Sequence, residues 1–142
     1  MWPVVLLGLL WLAPMVAHAE VLTPDEARVM AVRGELTIID IRQPVEWQRT
    51  GLPEGALAIS LQDRTLQPRA DFVGDVLRAV GDDPDRPIAL ICARGHRSAF
   101  AQQLLDANGF TQVHDISEGM LGGEYGPGWL ARALPTEPCT LC

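Results

Sequence analysis

Positive charge is scarce in this chain of 142 residues. Lysine and arginine together number 11 against 18 aspartate and glutamate residues, which gives a formal net charge of −7 at pH 7. A surface with this balance repels polyanions, so we expect neither nucleic acid nor an anionic membrane as a general partner. The composition still allows a local pocket of positive potential. The chain also shows no internal repeat or low-complexity segment, and its sequence indicates no second domain.

The first 19 residues contain no Asp, Glu, Lys or Arg. An apolar run at residues 4–12 is followed by Pro14 and by small residues at both positions of a signal-peptidase site, within residues 17–19. The run is short for a membrane span of about 20 residues. The sequence therefore predicts a signal peptide at residues 1–19, cleavage before Glu20, and export to a bacterial periplasm with no membrane attachment afterwards. An uncleaved membrane anchor is the alternative.

Beyond residue 20, apolar runs alternate with helical periodicities. Strands are predicted at residues 37–41, 56–59, 88–91 and 111–116, and helices between residues 23 and 34, 72 and 80, and 98 and 109. Strands that alternate with helices form a parallel sheet with helices on both faces. The sequence thus predicts one α/β domain at residues 20–135, with a mostly parallel sheet of about five strands. A short tail follows at residues 136–142.

A cysteine follows the apolar run at residues 88–91, and a basic loop comes next. Cys92 is followed by Ala93-Arg94-Gly95-His96-Arg97, and a helical pattern begins at Ser98. Open α/β sheets place ligand sites where a strand passes into a helix. Backbone N–H groups at such a position bind anions, and nearby arginines favour the thiolate. The pattern predicts a nucleophilic cysteine in an anion-binding loop, with a structural cysteine before a basic turn as the alternative.

Three segments together resemble the rhodanese family of sulfurtransferases. Cys92-x-x-Gly95-x-Arg97-Ser98 is similar to the active-site loop of that family. Residues 36–47, with Asp40-x-Arg42 and then Pro44-x-Glu46-Trp47, resemble its first signature. Residues 51–56 resemble its Gly-x-Ile-Pro-Gly-Ala turn, with Glu54 inserted before the second glycine. The resemblance covers about residues 23–135 and implies a rhodanese-like α/β fold.

The resemblance also implies a chemistry. A sulfane sulfur would pass from an anionic donor such as thiosulfate to Cys92, and from the resulting persulfide to a thiol or cyanide. The resemblance then assigns catalysis to Cys92 and Arg97, and support of the loop to Asp40 and Arg42. The residues that would bind the donor and hold the transferred sulfur are Ala93, Arg94, Gly95, His96 and Ser98. No metal or organic cofactor is implied.

Two other functions stay open. A Cys-dependent phosphatase or arsenate reductase would use a similar anion-binding loop, but with one more residue than the four that separate Cys92 from Arg97. The shorter loop favours a single sulfur atom over a phosphoryl group. A sulfur carrier or binding module without enzymatic activity is the other alternative.

The chain has only three cysteines, and two of them form Cys139-x-x-Cys142 in the tail. An odd total in an exported protein indicates one free thiol beside a pair. The pair is predicted to be a disulfide that ties off the tail. Alternatively, it is a mobile dithiol that reduces a redox partner protein or resolves the persulfide on Cys92.

Overall fold

A computed structural model describes residue 1 and residues 19–142, so residues 2–18 of the predicted signal peptide lie outside the described residues. The elements in chain order are α1 (Pro24–Val32), β1 (Thr37–Asp40), α2 (Pro44–Thr50), β2 (Leu52–Pro53), β3 (Leu57–Ala58), α3 (Phe72–Ala79), β4 (Ile88–Ile91), α4 (His96–Ala107), β5 (Val113–Asp115), α5 (Gly128–Ala131) and β6 (Thr136–Glu137). In this described part, no helix combines the length and the apolar character that a membrane crossing requires.

Four strands form a parallel sheet in the order β3-β1-β4-β5. The predicted α/β fold with a parallel sheet is therefore confirmed, with four regular strands where about five were expected. A single parallel bridge between Val21 and Asp115 occupies the fifth position, beside β5. The remaining two strands, β2 and β6, pair with each other in an antiparallel ladder. That ladder fastens the C-terminal tail to the segment that follows α2.

The sheet separates two hydrophobic cores. Neighbouring residues of a strand point to opposite faces, so Ile39 packs towards α3 and α4 whereas Ile38 packs towards α1 and α5. Strand β4 is buried on both faces, as a central parallel strand must be. The only fully buried tryptophan of the described residues, Trp129, fills the second core. Helices thus cover both faces, and the carboxyl ends of the strands form one rim.

Helix α4 begins at His96, two residues earlier than the periodicity predicts. Gly95 precedes it with a left-handed backbone, at a φ of 99°, and this turn reverses the chain sharply enough to start the helix directly after the loop. No side chain caps this N-terminus. Its first N–H groups therefore remain available beside the carboxyl end of β4.

Candidate active site

Cys92 lies at the carboxyl end of β4, with its sulfur turned towards the backbone of the following loop. The side chain is 1% exposed. Its Sγ accepts hydrogen bonds from the N–H of Gly95 at 3.1 Å and from the N–H of Ser98 at 3.4 Å. The Ser98 hydroxyl also lies 3.4 Å from the sulfur. The sulfur thus forms the floor of a loop whose amides stabilise negative charge on it.

Further N–H groups of this loop are free to bind a ligand. Within residues 19–142, nothing accepts a hydrogen bond from the backbone N–H of Ala93, Arg94, His96 or Arg97. Two of these groups belong to the first turn of α4, where the helix carries partial positive charge. Successive N–H groups around a sharp turn form a concave site for an anion. The loop can therefore hold a small anionic group above the Cys92 sulfur.

Two glycines fit this loop against the segment that follows β5. A Cβ atom on Gly95 would stand 2.2 Å from the carbonyl oxygen of Ser117. From the other side, Gly119 has a φ of +68°, and a Cβ there would stand 2.4 Å from the carbonyl oxygen of Ala93. Only glycine allows two backbones to approach so closely. The loop is consequently held in one conformation from both sides.

Arg97 is bound by a carboxylate from another element. Its two terminal nitrogens donate to the two oxygens of Glu46, on α2, at 2.7 and 2.8 Å. The hydrogen bonds to Glu46 raise the pKa of Arg97. Burial would raise the pKa of Glu46, but the Arg97 guanidinium and the Gln43 N–H more than offset it and hold that pKa below its ordinary value. Arg97, which the sequence predicts to face an anionic donor, is therefore already paired with Glu46.

The other two basic residues of the loop, Arg94 and His96, also have partners of their own. Arg94 donates from Nη1 to the carbonyl oxygen of Gly122 at 2.8 Å. His96 is largely exposed, with Nε2 3.9 Å from a carboxylate oxygen of Glu124. Both side chains thus contact the segment after β5, and each forms part of the rim of the loop.

Asp40 and Arg42 form a buried ion pair, with the carboxylate 0% and the guanidinium 1% exposed. Arg42 donates from Nε to both Asp40 oxygens at 2.9 and 3.1 Å. Its other nitrogens reach the Thr50 hydroxyl at 2.9 Å and the carbonyl oxygen of Gly51 at 3.0 Å. The pair therefore connects the end of β1 to the end of α2, the helix that carries Glu46.

The sequence interpretation overlooked Asp115, at the carboxyl end of β5. This carboxyl is 4% exposed, and one oxygen accepts a hydrogen bond from the Ser117 hydroxyl at 2.7 Å. The other oxygen has no partner among the described residues. Burial raises the pKa of Asp115, against the opposing effect of the Ser98 and Ser117 hydroxyls. An aspartate close to the carboxyl end of the predicted strand at residues 111–116, and therefore on the same rim as Cys92, is the signal that could have revealed it.

A depression of about 250 Å³ opens beside the loop. It is lined by Leu61, Gln62, Pro68, His96, Arg97 and Phe100. The lining combines apolar side chains with the rim of the anion-binding loop, so a small molecule can approach the loop from this side. Across residues 19–142, no three His, Cys, Asp or Glu side chains are grouped to hold a metal ion.

Cys139 and Cys142 are joined as a disulfide, with their Cα atoms 5.6 Å apart. The bond closes a short loop at the end of the tail. Cys92 is the only free cysteine of the described residues.

Comparison with known proteins places this geometry in a family. The rhodanese-like domain family matches residues 23–124. The thiosulfate sulfurtransferase GlpE of Pseudomonas syringae pv. syringae is 24% identical over 96 residues, which cover 68% of this chain and 78% of that protein. An uncharacterised protein of Rickettsia rickettsii is 28% identical over 100 residues, covering 70% of this chain and 81% of its own.

A solved structure has the same fold. The polysulfide-sulfur transferase homodimer of Wolinella succinogenes superposes with a TM-score of 0.61 at 24% identity, covering 87% of this chain and 81% of its own. The match over residues 23–124 shows that the chain is a member of the rhodanese-like domain family.

Proposed function

We propose that this protein is a sulfurtransferase that carries a sulfane sulfur as a persulfide on Cys92. The observation that carries the proposal is the orientation of the Cys92 sulfur, which receives the N–H groups of Gly95 and Ser98. Cys92 also borders the first hydrophobic core, but a purely structural cysteine would have no such donors. Amides on the sulfur stabilise the thiolate, which is the nucleophilic form.

In the first step, the Cys92 thiolate attacks the outer sulfur of a donor such as thiosulfate. A bond forms between the two sulfurs, and the bond between the outer sulfur and the sulfonate sulfur breaks. Sulfite leaves with the electron pair of the broken bond, and Cys92 is left as a persulfide with a terminal anionic sulfur. Among the described residues, the N–H groups of Ala93, Arg94, His96 and Arg97 have no acceptor, and they are the donors available to hold that sulfur.

In the second step, a nucleophilic acceptor takes the terminal sulfur. Cyanide or a thiolate attacks it, the bond to Cys92 breaks, and the electron pair returns to the cysteine as thiolate. The acceptor leaves as thiocyanate or as a persulfide. Because the donor product leaves before the acceptor reacts, we expect ping-pong kinetics.

The length of the loop favours sulfur over a phosphoryl group. Four residues separate Cys92 from Arg97, and Arg97 is already occupied by Glu46 on both terminal nitrogens. A phosphatase needs that guanidinium for the oxygens of its substrate. A tetrahedral phosphoryl group would therefore have to displace Glu46, whereas one sulfur atom can be held by the amides alone.

The test is the intact mass of the protein after treatment with thiosulfate. We expect a gain of one sulfur atom that cyanide removes and that Cys92→Ala abolishes. The double variant Cys139→Ser/Cys142→Ser is the matched control and keeps the gain. Turnover of an aryl phosphate without any gain in mass would overturn the proposal in favour of a phosphatase. If the protein gained the sulfur but did not transfer it to cyanide over repeated turnovers, it would be a sulfur carrier and not an enzyme.

We also propose that the protein acts after export, with a thiol or a redox protein as its partner. The support is the uncharged apolar stretch within residues 1–19 and a C-terminal disulfide, a bond that persists in oxidising compartments. N-terminal sequencing of the periplasmic protein should begin at Glu20. If the protein were instead recovered in the membrane fraction and still contained residues 1–19, an uncleaved anchor would be supported.

A further inference from the structure

The loop at residues 62–68 holds a leucine in a backbone conformation that suits glycine. Leu66 has a φ of 65°, and its exposed fraction is 61%. Two other described residues besides the glycines have a positive φ, Asp82 and Ala133, and neither carries a large apolar side chain. The left-handed region is unfavourable for leucine because its Cβ crowds the following carbonyl oxygen. A side chain so exposed gains little from burial in return, so the fold alone does not explain a leucine here.

The hydrogen bonds of the loop require this backbone. Gln62 and Pro68 pair across its base. The N–H of Leu66 donates to the Asp63 carbonyl at 3.1 Å, which closes a turn, and the N–H of Asp63 donates to the Gln67 carbonyl at 2.9 Å. A hairpin loop built from a turn and one left-handed residue usually has glycine at the left-handed position. The loop therefore carries a leucine where glycine would form the same turn with less strain.

The base of this loop borders the candidate active site. Gln62 and Pro68 line the depression beside the Cys92 loop, together with Phe100, which is 48% exposed. The side-chain amide of Gln62 also donates to the Leu66 carbonyl at 2.9 Å. Leu66 itself lies in the turn beyond the lining of the depression. An apolar side chain is thus held in solvent, one hydrogen bond away from a wall of the depression.

We propose that Leu66 and Phe100 belong to one docking surface, which binds a partner protein whose cysteine thiol accepts the sulfur of the Cys92 persulfide. The inference rests on the proposed function and names the class of its acceptor. A small thiol bound within the depression of about 250 Å³ would not need Leu66, because that residue lies outside the lining. A protein surface can cover Leu66 and Phe100 together, and burial of apolar side chains drives association.

The charges around Leu66 indicate the chemistry of the partner. Arg64 lies in the same turn, is exposed, and forms no ion pair with any residue that the structure describes. Arg69 and Arg97, the nearby arginines, are already bound by carboxylates. The Asp63 carboxylate accepts hydrogen bonds from within its own loop. An apolar partner surface with carboxylates beside its cysteine would therefore be complementary.

The experiment measures, by intact mass, how fast the Cys92 persulfide passes its sulfur to synthetic peptides. One peptide has a central cysteine flanked by leucine and glutamate residues, and a second has serine in place of each leucine. Cyanide is the acceptor that needs no docking surface. We expect the wild-type protein to react about tenfold faster with the leucine peptide than with the serine peptide. Leu66→Asn should lose this preference and keep its rate with cyanide.

Two comparisons separate docking from a structural role of Leu66. Asparagine adopts the left-handed backbone more readily than leucine, so Leu66→Asn should unfold at a higher urea concentration than the wild type while it loses the preference. Val32→Asn is the matched control. Val32 is 69% exposed on α1, which packs against the opposite face of the sheet, so all three transfer rates should stay unchanged.

Equal rates for the two peptides with the wild-type protein, or an undiminished preference in Leu66→Asn, would overturn the proposal. So would a lower urea midpoint of Leu66→Asn, because leucine would then serve the fold. An equal loss of transfer to cyanide in that variant would also contradict it, since Leu66 would then act on the Cys92 loop itself. Failure of the proposed function is distinguishable, because the wild-type protein would then transfer no sulfur to cyanide.

Discussion

Glu46 and Arg97 form a two-pronged ion pair that joins helix α2 to the first turn of α4, across 51 positions of sequence. The carboxylate is fixed in turn by the N–H of Gln43, at 2.9 Å. Planar pairs of this kind set orientation as well as charge. The pair therefore determines where the guanidinium of the Cys92 loop points.

Replacing Glu46 by Gln should lower kcat/KM for thiosulfate about tenfold, which corresponds to about 1.4 kcal/mol. Glutamine can accept only one of the two hydrogen bonds and carries no charge, so Arg97 loses its fixed position. The measurement is steady-state sulfur transfer to cyanide, with Glu35→Gln at an exposed site as the control. A lower KM at unchanged kcat would contradict the prediction, because it would mean that Glu46 merely masks Arg97.

The same pair predicts an acid-sensitive contribution to stability. The pKa of Glu46 in the folded protein lies below its ordinary value of 4.5, so the pair stabilises the protein fully above that value. The contribution disappears as the pH falls through the folded pKa. Allowing for solvent screening, Glu46→Gln should lower the free energy of unfolding by about 1 kcal/mol at pH 7. Urea unfolding at pH 7 and at pH 3 should show the two proteins converging in acid; an equal difference at both pH values would be inconsistent with this origin.

The buried pair of Asp40 and Arg42 predicts a larger effect. Asp40→Asn leaves the Arg42 charge buried without its counter-ion, and we expect a loss of about 3 kcal/mol in the free energy of unfolding. Glu54→Gln is the matched control, because Glu54 pairs with Arg28 at 3.6 Å on the solvent-exposed surface. That change should cost less than about 0.5 kcal/mol. Equal losses in urea unfolding would show that the Asp40–Arg42 pair gains nothing from burial.

The sequence predicted the parts of the site that local patterns encode. The apolar run at residues 88–91 specifies a central strand because both of its faces must be buried, and the Asn108-Gly109 dipeptide ends α4 where expected. The position of Cys92 after that strand follows directly. These features depend on neighbours in the chain, so periodicity and turn residues suffice to find them.

Contacts between distant segments could not be predicted in the same way. Three such contacts depend on how the elements pack: Arg97 binds Glu46, Arg94 binds the Gly122 carbonyl, and β6 pairs with β2. The sequence shows two arginines near a cysteine, but not which partners already hold them. The acid at residue 115 was overlooked for a related reason, since only the packing of β5 beside β4 buries it on the same rim as Cys92.

Gly95 provides a test of how tightly the loop is held. Gly95→Ala would bring a Cβ into the Ser117 carbonyl and also force alanine to a φ of +99°. We expect a loss of about 3 kcal/mol in the free energy of unfolding, together with loss of sulfur transfer. Gly81→Ala separates the two causes, because Gly81 also has a positive φ, +72°, but faces open space. It should cost about 1 kcal/mol. Similar losses for both variants in urea unfolding would mean that the loop can move away from Ser117.

The disulfide between Cys139 and Cys142 ties off the tail, and we expect neither cysteine to take part in sulfur transfer. The tail is attached through the pairing of β6 with β2 and through Gln48, whose side-chain amide donates to the Cys142 carbonyl at 3.5 Å. These contacts attach the tail to α2 and to the segment after it, not to the Cys92 loop. Cys142 itself is exposed to solvent. We therefore expect Cys142→Ser to change neither the rate of sulfur transfer to cyanide nor the lifetime of the Cys92 persulfide by more than about twofold.

The decisive measurement follows persulfide loss by intact mass, with the disulfide either intact or reduced beforehand and the reductant removed before Cys92 is loaded with sulfur. If the pair only ties off the tail, reduction and Cys142→Ser should leave that loss unchanged, although the tail should be cleaved more readily by proteases. A reduced wild-type protein that loses its persulfide several-fold faster than reduced Cys142→Ser would show the opposite. The tail thiols would then reach Cys92 and attack its terminal sulfur, and the contacts of the tail with α2 would have to break during each turnover.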